Sequence, residues 1–411
     1  LKATQEELAQ AYAGWKPSVT GNSDITRTHL DGDGITDGAD GSTEKNLGVT
    51  LNQPLYKGGR TQAQIAAARA TIKAQEENLR AVEQDVLLQA AMAYMDVVRD
   101  RALLNLSRNN RDVIARQDKA TRDRFSAGEL TRTDVSQAEA RLARAESDII
   151  RSQGALNTSE AAFERIVGLP AGALGNPAYR FTFPENVDEA ALAAENGNPD
   201  VLSALYAQEA AENDVDNIYG ELLPEVGFFT SWDKAYDPSP GTLDDRSTTA
   251  LGISASVPLY DAGSVRSRVR QAKYTANQRY IEILAAKRAA REQATSAWQN
   301  LKSAQAEIRS RESEVRATRV ASEGVHAEQE YGTRTVLDAL DADQELLDAQ
   351  VALVSAQRDE VVAEFTLLSV LGTLSPETLG FPDARIDERG REEDLKWKIL
   401  DMHVDRVGPT Q

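Results

Sequence analysis

The segment LGVTLNQPLYK at residues 47–57 returns as LGISASVPLYD at residues 251–261, a displacement of 204 positions. The same displacement relates Pro54 to Pro258, Gly59 to Gly263, Gly128 to Gly332, Asp134 to Asp338 and Gly168 to Gly372, without a gap. The chain is therefore one supersecondary unit written twice, and its fold must be assembled from two similar halves. Each copy places a short strand pattern before a very long helical one. That combination joins strands fit to sit in lipid to helices too long for an ordinary globular core.

The strand pattern has a period of two. Leu47, Val49 and Leu51 alternate with Gly48, Thr50 and Asn52, and Leu251, Ile253, Ala255, Val257 and Leu259 alternate with Gly252, Ser254, Ser256 and Pro258. Upstream, Val226, Phe228, Thr230 and Trp232 alternate with Gly227, Phe229 and Ser231. Such alternation reads as strand with one apolar and one polar face. Pro17-Ser18-Val19-Thr20 corresponds to Pro224-Glu225-Val226-Gly227 at a displacement of 207, so an insertion or deletion separates the strands of a copy. Turn-rich stretches at residues 30–46 and 237–248 complete one antiparallel hairpin per copy. Strands of about 10 residues match the roughly 9–11 that cross a bilayer when tilted.

Each hairpin ends in Pro-Leu-Tyr, followed by glycine and a helical pattern. The pattern runs from Gly59 to Phe125 in one copy and from Gly263 to Gln329 in the other, with no proline inside either. About 67 residues at 1.5 Å each span roughly 100 Å, far beyond the average globular helix, so these helices must pack along partners. Breaks at Gly128 and Gly332 start return helices with heptads Val135, Leu142, Ile149, Leu156, Phe163 and Leu340, Leu347, Val354, Val361, Leu368. Sustained heptads predict coiled-coil-like packing, closed by Gly168 and Gly372 as helix stops. Residues 1–15 read as the end of a helix. Residues 170–198, rich in Pro, Gly and Asn, and residues 373–411, polar and holding Pro376, Pro382 and Pro409, stand outside this plan.

Composition removes several function classes. Lys+Arg 46 against Asp+Glu 65 gives a net charge of -19, unsuited to nucleic acid, which needs a basic face. With no cysteine there is no disulfide, thiolate zinc site or thiol nucleophile. No apolar run approaches the roughly 18 residues of a transmembrane helix. No signal peptide is visible at Leu1, where a helical pattern is already under way, so the reading expects chain upstream. His29, His326 and His403 are scattered, and no phosphate loop, nucleophile elbow or dinucleotide fingerprint occurs. The chain is thus read as no enzyme, with no cofactor. Asp31, Asp33 and Asp37 form a weak calcium candidate, because the bidentate glutamate of the full pattern is missing. A flexible acidic loop is the simpler reading.

A sheet in hydrocarbon cannot leave an open edge, and four strands cannot close on themselves. Two, three or four copies would give eight, twelve or sixteen strands, and eight is the smallest common membrane barrel. A soluble antiparallel coiled coil with small β caps stays open as the alternative.

Three features carry a family resemblance. They are the duplicated strand, Pro-Leu-Tyr, glycine and long-helix junction at Pro54 and Pro258; the run Gly332-Thr333-Arg334-Thr335-Val336-Leu337-Asp338-Ala339-Leu340-Asp341-Ala342; and its partner Gly128-Glu129-Leu130-Thr131-Arg132-Thr133-Asp134-Val135. Over nearly its whole length the chain resembles the TolC family of outer-membrane efflux and secretion channels. The resemblance implies a mainly α, α+β fold. A homotrimer forms a 12-stranded outer-membrane β-barrel, continued by a periplasmic α-helical barrel. Residues 16–56 and 223–260 would be barrel strands and extracellular loops, residues 1–15, 57–169, 199–222 and 261–372 the helices, and residues 170–198 and 373–411 an equatorial belt. The protein would be a passive exit duct of a Gram-negative outer membrane for multidrug efflux or type I secretion. A periplasmic adaptor and an inner-membrane RND or ABC transporter would open its iris. A periplasmic scaffold without a pore is the second reading.

The resemblance also implies roles. Asp338 and Asp341, spaced i, i+3 on one helix face, would ring the periplasmic iris, attract cations and crowd one another toward raised pKa values. Acids at a helix start also suit the helix dipole without any pore. Arg334 and Asp134 would belong to the latch that holds the iris shut. Gly128, Glu129 and Leu130, with Gly332 and Thr333, would be the tips that the adaptor meets. One departure stands out: relatives often place a latch tyrosine where this chain has Gln329, and the nearest aromatic is Tyr331.

Overall fold

The computed structural model describes residues 1–28, 42–175, 181–236 and 245–381. In chain order the elements are α1 (Lys2–Ala13), β1 (Ser18–Thr28), β2 (Ser42–Lys57), α2 (Arg60–Ser126), α3 (Arg132–Val167), α4 (Val187–Gly197), α5 (Pro199–Tyr219), a 3-10 turn (Gly220–Leu222), β3 (Glu225–Tyr236), β4 (Asp245–Ser256), α6 (Ser264–Glu330) and α7 (Val336–Val370). Helices α2 and α6 are 67 residues each, as the uninterrupted patterns predict. Among the described residues no helix is long and apolar enough to cross a membrane. The chain divides into two compact units, one holding Leu1–Asn78 and Leu202–Ala285, the other Leu79–Val201 and the described part of Ala286–Arg385. The calcium candidates Asp31, Asp33 and Asp37, together with His29, His403 and most of residues 373–411, lie outside the described residues.

The first unit holds a single antiparallel sheet of order β1-β2-β3-β4. Its register sorts the side chains by face, because directly opposed residues share one. Val19 faces Leu51, Leu51 faces Thr230 and Thr230 faces Leu251, while Val49 faces Trp232 and Phe228 faces Ile253. No described residue covers this apolar face: Leu251 is 75% exposed and Ile253 69%. The other face carries Asn22, Asp24, Asn46, Asn52, Asp233 and Ser254, with Asn46 donating to Asp24 at 3.1 Å. On that face a Cβ at Gly48 would come within 2.5 Å of the Asp233 carboxylate, so glycine leaves room for polar neighbours.

The two copies differ where strand becomes helix. β2 runs on through Pro54 and Tyr56, paired to β3 across a bulge, and proline, which has no N–H to give the ladder, suits such a site. β4 stops at Ser256, and Val257, Pro258, Leu259 and Tyr260 leave the ladder. Leu259 is 93% exposed where its counterpart Leu55 is 48%. The end of β2 has β3 beside it, whereas β4 is the last strand of the sheet and no described residue pairs with its continuation.

The second unit is helical. Ala93, Val97 and Leu104 of α2 pack on Leu156 and Phe163 of α3, and Ala290, Ala294, Ala297 and Leu301 of α6 meet Leu367 and Leu371. The return helices bury small residues more completely than the large heptad predicts. Ala138, Ala145 and Ser159 of α3 and Ala349 and Ala356 of α7 are buried, while Val135, Leu142 and Ile149 are only partly so. Small side chains let helix backbones approach closely there, while the heptad residues Leu156, Phe163, Leu340 and Leu368 are buried in the cores of their contacts.

Helix α4 lies inside residues 170–198, the Pro-, Gly- and Asn-rich stretch expected to form part of a belt. Asn186 caps it by accepting from the Glu189 amide at 2.9 Å, and Ala190, Ala191 and Ala194 are buried. Its end is fixed by α2: Arg80 donates to the carbonyls of Gly197 (3.2 Å) and Gly372 (2.6 Å). Gly372 has φ 75, and a Cβ there would lie 2.1 Å from the Gly197 carbonyl oxygen.

Candidate functional site

Two helical turns carry the residues singled out from sequence. Gly128 (φ 81) and Gly332 (φ 79) are both left-handed, the conformation that ends a helix most cheaply with glycine. Glu129 donates its amide to the Arg124 carbonyl and Thr333 to that of Glu328, each at 3.0 Å, so both turns close alike. A Cβ at either glycine would meet nothing within 4 Å. The backbone angle, not crowding within the chain, demands glycine there. Gly128, Glu129, Gly332 and Thr333 are exposed, and Leu130 is half-buried against the cluster of Ile114, Ala145, Val336 and Leu340.

Each return helix then begins with a reciprocal cap. Thr131 donates its amide to Asp134 at 2.9 Å and accepts from the Asp134 amide at 3.3 Å. Thr335 and Asp338 repeat this at 2.9 and 3.1 Å. These are capping boxes with aspartate at the third position. The Thr131 amide and hydroxyl hold the Asp134 carboxyl below the usual carboxylate range, and the Thr335 amide and hydroxyl do the same for Asp338, with Arg334 adding a smaller pull. Within one chain Asp338 thus moves opposite to the direction expected from crowding in an assembly.

Asp341 has a different partner. It is half-exposed and takes a hydrogen bond at 2.5 Å from Arg141 of α3, so this ion pair joins the two return helices. Arg334 pairs with Glu328 of its own hairpin at 2.8 Å, and hydrogen bonding to that carboxylate raises its pKa further. Arg334 and Asp134 are therefore engaged separately within the chain, each inside its own hairpin. The first turn mirrors the Arg334 clamp with signs exchanged: Arg124 donates to Glu129 at 3.0 Å.

Behind the tips lies a polar cluster. Gln329 is buried, in place of the expected tyrosine, and Tyr331 is 86% exposed. Gln329 lines a cavity of about 190 Å³ with Gln117, Thr121, Arg124, His326 and Glu330. Asp343 is buried on α7. Its Oδ1 accepts from the Ser322 hydroxyl at 2.9 Å and lies 2.8 Å from His326 Nε2, which donates when that nitrogen carries the proton, while its Oδ2 has no partner among the described residues. Sequence reasoning missed Arg141 and this Ser322–His326–Asp343 group. Asp343 was within reach, since it lies three residues after Leu340 and seven after Val336, an acid on the apolar face of a heptad. No sequence signal pointed to Arg141, one exposed-looking arginine among many.

The comparisons with known proteins agree with this architecture. The family model for outer membrane efflux proteins matches residues 1–169 and 192–373. The outer membrane efflux protein BepC of Brucella suis biovar 1 is 33% identical over 386 residues, 94% of this chain and 83% of the relative. The outer membrane protein TolC of Vibrio cholerae serotype O1 is 25% identical over 342 residues, 80% of this chain and 77% of that one. In fold, the chain is similar to the crystal structure of the outer membrane protein VceC from Vibrio cholerae, with a TM-score of 0.76, 20% identity and 90% of each chain covered.

Proposed function

The chain belongs to the outer membrane efflux protein family, and from that premise we propose that it is a passive exit duct for efflux or type I secretion. It is a protein of the outer membrane that extends into the periplasm, as the family is. The observation that carries the duct reading is the sheet. Among the described residues its apolar face is bare, its other face is polar, and the outer edges of β1 and β4 have no partner. Hydrocarbon tolerates such a sheet only in a closed barrel, and four strands close only with other copies. A homotrimer gives twelve, with the apolar faces to lipid and Asn22, Asp24, Asp233 and Ser254 toward water.

On this reading residues 16–56 and 223–260 supply the barrel, the long helices the periplasmic conduit, and residues 170–198 and 373–411 the belt. Asp338 and Asp341 line the constriction at the far end. Arg334 and Asp134 take part in its latch once copies associate. The tips at Gly128, Glu129, Leu130, Gly332 and Thr333 meet a periplasmic adaptor, coupled to an inner-membrane transporter that supplies the energy. The chain has no catalytic role of its own. The scaffold alternative needs another protein surface over the bare sheet face.

The test is single-channel conductance in planar bilayers of the detergent-purified chain beside the Asp338→Ala, Asp341→Ala double variant. A small cation-preferring conductance whose preference is lost in the double variant supports the duct. A chain that stays soluble without detergent and carries no current would sink it.

A further inference from the structure

Resting on that reading, we infer that Arg141 sets the charge of the constriction: it ties the two hairpins together through Asp341 and masks one of the two acids proposed to select ions. Asp338 and Asp341 look equivalent in the sequence, but their settings differ. Asp338 is committed to its own helix start through Thr335. Asp341 is held across elements, 2.5 Å from Arg141. Both partners sit on well-fixed scaffolding. The capping boxes order the first turns of α3 and α7. Ala145 packs with Val336 and Leu340, and Leu142, the neighbour of Arg141, lies against the same cluster.

The duplication does not repeat the link. The counterpart of Asp341 is Gln137 and that of Arg141 is Glu345, so no second pair of opposite charges forms at the related positions. The link therefore joins α3 and α7 at these positions alone of the two related pairs, with Arg141 25% and Asp341 52% exposed. An exposed pair is weak and screened by salt, which suits a contact that must open. When α3 and α7 move apart, the Asp341 carboxylate is freed. The opening then becomes wider and more anionic in the same step, so cation preference rises as the duct opens. Arg141 is in this sense a positioning residue that acts through Asp341.

The experiment is single-channel recording of the full chain under a KCl gradient, reading conductance and reversal potential. Arg141→Gln should raise conductance several-fold and move the reversal potential toward that of potassium, because the link is lost and the acid is unmasked. Asp341→Asn should raise conductance similarly but move the reversal potential the other way, because link and charge are lost together. Arg141→Lys should stay near wild type. Exchanging the charges, Arg141→Asp with Asp341→Arg, should restore the low conductance. Thermal unfolding of each variant in detergent should match wild type, so a folding defect cannot imitate the result. Wild-type conductance and reversal potential in Arg141→Gln, equal reversal shifts in Arg141→Gln and Asp341→Asn, or a charge exchange as leaky as the single variants would each overturn the inference while the duct stands. A silent wild type overturns the duct reading, and this inference with it.

Discussion

At the hairpin tips the two copies make the same turn and cap bonds, whereas at the strand-to-helix junctions they do not. Gly128 and Gly332 share one backbone conformation, and Thr131–Asp134 and Thr335–Asp338 share one cap. At the other end, Gly58 (φ 60) corresponds to Ala262 (φ 55). A Cβ at Gly58 would come 2.2 Å from the Gly220 carbonyl oxygen, while the chain itself tolerates one at Ala262. Lys57 corresponds to Asp261, whose carboxylate accepts from the amides of Gly263 and Val265 at 3.0 and 2.7 Å. Those amides hold the Asp261 carboxyl below the usual range. Bonds that close within a few residues are copied whenever the residues are copied. Bonds that need a neighbouring element depend on what lies beside each copy, and among the described residues β4 has no strand beyond it.

The largest effect should separate Gly58 from Ala262. Gly58→Ala meets both a left-handed backbone and the Gly220 carbonyl, and should cost more than about 3 kcal/mol. Ala262→Gly relieves strain and should change stability by less than about 1 kcal/mol. Thermal unfolding of the two variants measures the gap, and equal losses would break the distinction between junctions.

Next comes the pair Leu47 and Leu251, equivalent in the duplication but not in the sheet. Leu251 faces Thr230, in the row of Val19 and Leu51, whereas Leu47 faces Lys234, nearer the strand ends. In a membrane barrel Leu251→Arg should cost about 2–4 kcal/mol and Leu47→Arg about 0–1, as charge on the lipid face is penalised by depth. Denaturant unfolding from vesicles checks the ratio.

A third contrast sets Asp343 against its counterpart Glu139. Asp343→Ala strips the buried Ser322 and the half-buried His326 of their acceptor, and should cost about 1–3 kcal/mol. Glu139 is a half-exposed partner of Arg122, and Glu139→Ala should stay within about 0.5 kcal/mol.

The smallest effect should be the same in both copies. Thr131→Ala removes a cap at about 1 kcal/mol, and Thr335→Ala should match it in melting temperature. Both capped acids have folded pKa values below the ordinary 3.8. Their stabilisation is therefore present above about pH 4 and is lost as the pH falls through the lowered values. Acid titration should show this loss in wild type and a weaker one in the two threonine variants.

Much of this was legible in the residues. The displacement of 204, the proline-free helical runs and the alternating strands led directly to two hairpins, two 67-residue helices and two return helices. The tip glycines and their left-handed backbone were legible for the same local reason. Helix α4 was missed because a Pro-, Gly- and Asn-rich setting outweighed a real cap signal, Asn186 followed three residues later by Glu189. The partners of the candidate site were out of reach. Asp341 meets Arg141 from 200 residues away, and no spacing rule links residues that only tertiary packing brings together. The early end of β4 had the same origin, since strand pairing is fixed by neighbours as much as by alternation.

The bare outer edge of β4 also bears on how such a protein is made. Alone in hydrocarbon, the chain would carry unpaired backbone groups along both edges of its sheet, and alone in water it would expose a whole apolar face. Neither solvent suits the lone subunit. Its helical parts can form locally, but its strands have no stable home until other copies arrive. Insertion should then depend steeply on chain concentration, and unassembled subunits should be the form most open to proteases and chaperones.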